Sequence, residues 1–245
     1  MSENLAGNVA VVTGGAVRVG RAISLALAHA GCDLLIHYGR SAGPAVETAS
    51  AAAAHGVTAR TFGADLSRHE EATAIIPAAI EAFGRVDILV NSAAVFEEGG
   101  LAETSFAQWE REMAINLRAP FFLSQAFARQ LPAGEPGQIV NIVDARVLRA
   151  GSDHLAYRLT KAALVTLTQA LALELAPHVR VNAVALGAIL PPPGEDESFL
   201  QTLAQERVPL RRSGNAEIVA TNVLHLLQQS FLTGVVLPLD GGEFL

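Results

Sequence analysis

The sequence is short of several things a protein uses to cross-link, to bind polyanions or to enter a membrane. It has one cysteine, Cys32, in 245 residues, so no internal disulfide can form. Cys32 lies beside an Ala/Leu-rich stretch and reads as a small core residue in a reducing compartment. Basic residues are outnumbered, 17 Lys and Arg against 24 Asp and Glu, for a formal charge of -7. That balance argues against a surface made for nucleic acid or an anionic membrane, where clustered cations are needed. Long apolar runs are also missing. Residues 218–239 carry no formal charge, but Asn222, His225, Gln228, Gln229 and Pro238 interrupt them, so they read as a helix followed by a strand rather than a span of about 20 apolar residues. The opening "MSENLAGNVAVVTGG" has no basic region before an apolar run, and the expected location is cytoplasmic. Trp109 and the seven histidines show no ligand spacing, so no metal site is expected.

What is present is aliphatic, with 51% hydrophobic residues. This suits one large α/β domain spanning residues 1–245. Short β-branched runs at 8–13, 33–38, 57–62, 86–91, 137–143, 179–185 and 234–239 alternate with helical-period stretches at 20–30, 43–55, 67–83, 105–131, 155–176 and 215–228. Seven strands separated by helices predict a doubly wound parallel sheet, whose strands are covered on both faces and so read as near-continuous apolar runs. The segment 186–199, "LGAILPPPGEDESF", has three prolines and an acidic run, and we expect a surface loop or substrate lid there.

The first strand runs directly into "TGGAVRVG" (13–20), and a helix follows. Loop amides and a helix N-terminus then converge on one point, which is where a pyrophosphate binds. Gly14, Gly15 and Gly20 do not complete the G-x-G-x-x-G pattern. The second strand ends in "HYGRS" (37–41), where an NAD-binding fold usually has an acid for the ribose 2'-hydroxyl. Arg40 and Ser41, with Arg18 reaching from the first loop, predict a pocket for a 2'-phosphate and hence NADPH as cofactor.

With "TGGAVRVG", "ADL" (64–66), "NSAA" (91–94), "INLRAPF" around Asn116, "YRLTK" (157–161), "LELAPHVRVNAVALG" (173–187) and "PLDGG" (238–242), nearly the whole chain resembles the short-chain dehydrogenase/reductases, a Rossmann-type family. The arginine in the first loop, "HYGRS", the Asp of "VDA" (143–145) and Phe96 are most similar to the pteridine and dihydromonapterin reductases. The resemblance implies cofactor contacts from Gly14, Arg18, Val19 and Gly20 in the first loop and from His37, Tyr38, Arg40 and Ser41 after the second strand. It implies further contacts from Asp65 and Leu66, from Asn91 and Ala93, and from Gly187. Relatives are usually homotetramers, and the apolar runs 119–131 and 161–175 could bury in subunit faces.

Tyr157 and Lys161 lie four apart on one helical face, where an ammonium can lower a phenol's pKa and let it exchange protons near neutrality. By the resemblance, Lys161 also holds the nicotinamide ribose and Asn116 anchors a proton-replenishing water. Asp144 stands where most of the family has serine. A carboxyl group there suits a nitrogen heterocycle, and if ionised it would raise the Tyr157 pKa, so the two should titrate together. Phe96, at the mouth of the sheet, is implied to stack on a flat pterin, with Arg18, Asp144 and Tyr157 as the other substrate contacts. The reading is NADPH-dependent pterin reduction. Ketone reduction, as of a 3-oxoacyl carrier-protein chain, is its alternative in the same class. A sensor that binds NADPH without turnover is disfavoured by the intact set Asn116, Tyr157 and Lys161.

Overall fold

In the computed structural model, which describes residues 3–192 and 194–245, seven strands form one parallel sheet in the order β3-β2-β1-β4-β5-β6-β7. The first half runs β1 (Val9–Thr13), α1 (Arg18–His29), β2 (Asp33–Tyr38), α2 (Ala42–Ala53), β3 (Ala59–Gly63), α3 (His69–Thr73), α4 (Ile75–Phe83) and β4 (Ile88–Asn91). The second half runs α5 (Phe106–Met113), α6 (Ala119–Gln130), β5 (Gly137–Asp144), α7 (Leu155–Glu174), β6 (Val179–Leu186), α8 (Glu197–Arg207), α9 (Ala216–Gln228) and β7 (Val236–Leu239).

Successive residues of each strand point to opposite faces, and both faces are buried. Ala10, Val12, Leu34, Ile36, Val140 and Val184 pack with α1, α2 and α9. Val11, Leu35, Leu89, Ile139 and Val181 pack with α4, α6 and α7. Each fully buried Leu, Ile or Val contributes about 1.5–3 kcal/mol, which explains why the strands read as unbroken apolar runs. Cys32 belongs to the first of these clusters, and burial pushes its thiol up to about 12. The order of the sheet reverses at β1, beside β4, so the C-terminal ends of these two strands open the crevice in which such folds bind ligands.

Three expectations need correction. The stretch 67–83 is two helices meeting at Ala74. The stretch 105–131 is interrupted by a π-helical turn, Ala114–Arg118, which carries Asn116. The acidic end of 186–199 is not loop: Asp196 caps α8, its carboxylate accepting from the Ser198 and Phe199 amides at 2.9 and 3.1 Å. A carboxylate at that position completes the open amides of a first turn. Pro193 lies outside the described residues.

Candidate active site

A cleft of about 1410 Å³ lies along the C-terminal edge of the sheet. Its lining includes the predicted Gly14, Arg18, Val19, Gly20, His37, Tyr38, Arg40, Ser41, Asp65 and Leu66. Ala93, Phe96, Asp144, Tyr157, Lys161 and Gly187 line it too.

The first loop is built by close approach. Gly14 has φ +64, and a Cβ on it would meet Ala93 Cα at 3.0 Å. A Cβ on Gly20 would sit 2.1 Å from the Gly14 carbonyl, so only glycine lets α1 start against the loop. The Gly14 amide donates to His37 Nδ1 at 3.1 Å, which places the ring proton on Nε2, 3.0 Å from the Ala64 carbonyl. Burial lowers the His37 pKa and keeps the ring neutral. His37 thus braces the loop against the chain leaving β3.

Arg18 departs from expectation. Its backbone is left-handed, φ 52, and its guanidinium donates to the Pro191 carbonyl at 2.7 Å. It ties the first loop to the segment after β6 instead of turning to the ribose end. Arg40 there is exposed, and Ser41 is the N-cap of α2 with its hydroxyl free of any capping bond. Below them Asp65 is held as a carboxylate by its bonds to Ser67, with Arg40 adding to the effect.

Tyr157 donates its phenolic proton to Asp144 Oδ2 at 3.2 Å, and Asp144 Oδ1 accepts from the Arg146 amide at 2.8 Å. The Tyr157 pKa is pushed well above its ordinary value, by burial first and by Asp144 second. The predicted lowering by Lys161 is overturned. The ammonium lies 5.7 Å from the ring centroid and donates to the Ile142 carbonyl at 2.9 Å, too far to offset burial and a contacting carboxyl. Lys161 is itself lowered to about 8 by burial, with Asp144 pulling the other way.

Two predicted residues do not reach the cleft surface. Asn91 donates to Asn141 Oδ1 at 2.8 Å, and Asn141 donates to Thr168 at 2.9 Å, a buried chain that ties β4 to β5 and α7. Asn116 is fully buried, and its side-chain amide is committed to the Val95 backbone.

Other residues of the cleft were not anticipated. His154, left-handed at the N-cap of α7, stacks on Phe96 with centroids 4.1 Å apart and planes at 9°. Arg146 stands 5.0 Å from the same ring, and Tyr157 meets it edge-on at 4.8 Å. The Phe96 ring is therefore partly covered by its own neighbours. Glu243 comes in from the C-terminal segment, its pKa raised chiefly by burial and also by Asp144, against the pull of Arg146. Proximity to Asp144 and Tyr157 could have flagged Arg146 and His154, whereas Glu243 has no local signal. One signal for Lys161 was available: it is the only lysine in the chain.

Residues 15–243 match the family model described as enoyl-(acyl carrier protein) reductase. Among curated proteins, an uncharacterized oxidoreductase, YohF, of Escherichia coli is 34% identical over 242 residues, covering 97% of this chain and 96% of its own. A 3-oxoacyl-[acyl-carrier-protein] reductase of Synechocystis is 29% identical over 245 residues, 97% of each. Among solved structures, FolM alternative dihydrofolate reductase 1 from Brucella canis, complexed with NADP, superposes with a TM-score of 0.93 at 32% identity, covering 98% of this chain and 95% of that one.

Proposed function

The chain belongs to the short-chain dehydrogenase/reductase family, and from that premise we propose that it is an NADPH-dependent reductase of pterins or dihydropterins. NADP(H) fits the residues present. The free Ser41 hydroxyl, the exposed Arg40 and the open first turn of α2 together supply charge-assisted donors for a 2'-phosphate. The cofactor, when bound, supplies hydride; every proton movement belongs to this chain.

The observation that carries the substrate reading is the Tyr157–Asp144 contact. Reduction of a C=N bond adds hydride to carbon and a proton to nitrogen. Tyr157, raised well above its ordinary pKa, keeps its proton at neutral pH and yields it only when hydride addition to carbon has made the ring nitrogen a strong base. Asp144, accepting from the phenol at 3.2 Å, fixes where that proton stands and offers an acceptor to the N–H groups of the ring. Lys161, buried against the Ile142 carbonyl, holds positive charge beside the phenolate that forms. The Phe96 ring, with His154 stacked on it and Arg146 beside it, supplies a flat apolar wall for a planar substrate. The FolM neighbour, named as a dihydrofolate reductase, supports the same reading.

The second reading, reduction of a ketone such as a 3-oxoacyl thioester, is favoured by the Synechocystis relative. The substitution Asp144→Ser separates the two. It restores the hydroxyl that suits a ketone, so dihydrobiopterin reduction should fall by at least about 10-fold while diketone reduction is spared or rises. An equal loss on both substrates would contradict the role given to Asp144. We propose further that copies assemble as a homotetramer through α6 and α7. Phe121 is 43% exposed there, beside an apolar hollow shared with Leu117 and Leu167.

A further inference from the structure

Phe96 lies in a stretch, residues 92–100, with no regular secondary structure. A ring that orients a substrate needs a backbone that holds still, and the bonds nearest Phe96 come from α5 and the π-helical turn after it. Asn116 Oδ1 accepts from the Val95 amide at 2.9 Å, and its Nδ2 donates to the Val95 carbonyl at 2.9 Å. Four residues earlier, Glu112 Oε1 accepts from the Glu97 amide at 3.1 Å. Both bonding groups of one residue, followed by the amide two residues on, are what an antiparallel neighbour strand would satisfy. Here two side chains do it, and they bracket Phe96.

Glu112 is an unusual residue to find in that place. It is fully buried, and its second oxygen, Oε2, has no hydrogen-bond partner among the described residues. An unpartnered buried polar atom costs stability. The reaction described above gives Glu112 no part. Its one hydrogen bond goes to the residue next to the platform, and the Glu97 side chain is in turn tied to Arg111, on the same helix, at 2.7 Å.

We propose that Glu112 is a positioning residue which, with Asn116, replaces a strand edge and fixes the attitude of the Phe96 ring toward the substrate. The inference rests on the reading of Phe96 as a substrate platform. What it requires of Glu112 is an acceptor oxygen, and burial, which raises its pKa, makes a charge dispensable.

Two variants of the full-length protein test this. Glu112→Leu keeps bulk and removes the acceptor; Glu112→Gln keeps the acceptor and removes the charge. In Glu112→Leu, amide hydrogen exchange at Glu97 should quicken about 10-fold, while Val95, held by Asn116, stays protected. KM for dihydrobiopterin should rise about fivefold with kcat changed less than about twofold, the scale of one hydrogen bond. Glu112→Gln should restore both readings. Unchanged exchange at Glu97 in Glu112→Leu, or a Glu112→Gln that behaves like it, overturns the proposal. If the wild type turns over no pterin, the platform reading fails and the exchange result alone decides the role of Glu112. Should Glu112→Leu not fold, Glu97→Pro, which has no amide proton to donate, breaks the same bond from the other end and is read by kinetics against Glu97→Ala: the fivefold rise in KM for dihydrobiopterin is expected in Glu97→Pro alone, and equal KM values in the two variants overturn the proposal.

Discussion

At the scale of single residues, the site is governed by a contest over Tyr157 that sequence spacing framed but could not decide. The i, i+4 relation to Lys161 and the carboxyl at Asp144 were both legible, and they pull the phenol in opposite directions. Distance decides the outcome: Asp144 is in contact at 3.2 Å, whereas Lys161 is spent on the Ile142 carbonyl. The pH dependence should reflect this. Tyr157 stays protonated through the alkaline range, so the group that titrates there is Lys161, lowered to about 8. Its charge is present below that pH and lost above it. The kcat/KM for NADPH-dependent reduction, which reports the free enzyme, should therefore fall as pH rises through about 8, with NADPH binding weakening in parallel. A profile that stays flat to about pH 10 would contradict the assignment.

Among the elements, α2 and the helix pair α5–α6 show where patterns in the sequence are informative and where they stop. "HYGRS" marked where β2 ends and α2 begins, because strand end and helix start follow from local pattern, and Arg40 and Ser41 lie at the opening of α2. Arg18 was misdirected, since its partner Pro191 is 173 residues away and no local rule gives its direction. The π-helical turn at Ala114–Arg118 was invisible as well. It leaves the apolar period almost intact, yet it carries the buried Asn116. Helix α8 was missed for a different reason, because its acidic N-terminal cap has the composition of a loop. From α2 comes a prediction: Arg40→Asp should reverse the cofactor preference. The wild type should favour NADPH over NADH by about 10- to 1,000-fold in kcat/KM, the range of one or two charge-assisted bonds. Steady-state rates with both cofactors check this, and equal efficiency in the wild type would sink it.

Taken whole, the molecule was largely readable: strand number, the parallel sheet and the single domain follow from buried apolar runs alternating with helices. Residues that gather at the cleft from distant parts of the chain, such as Glu243 beside Asp144, were not. Neither was the subunit arrangement, since an apolar helix face looks the same whether it meets a core or another copy. The exposed Phe121 makes that testable: Phe121→Glu should lower the sedimenting mass from a tetramer to smaller species at micromolar concentration, and an unchanged mass would remove α6 from the interface.

The central claim is that this cleft reduces a flat nitrogen heterocycle, and it is tested most directly by NADPH oxidation, followed as the loss of its absorbance, in the wild-type protein. Dihydrobiopterin, dihydromonapterin and dihydrofolate are compared with acetoacetyl thioesters and small diketones. The account predicts that at least one pterin is turned over with a kcat/KM about 10-fold or more above any ketone. Efficient turnover of thioesters or diketones with no pterin reduced would contradict it and establish the ketone reductase in its place.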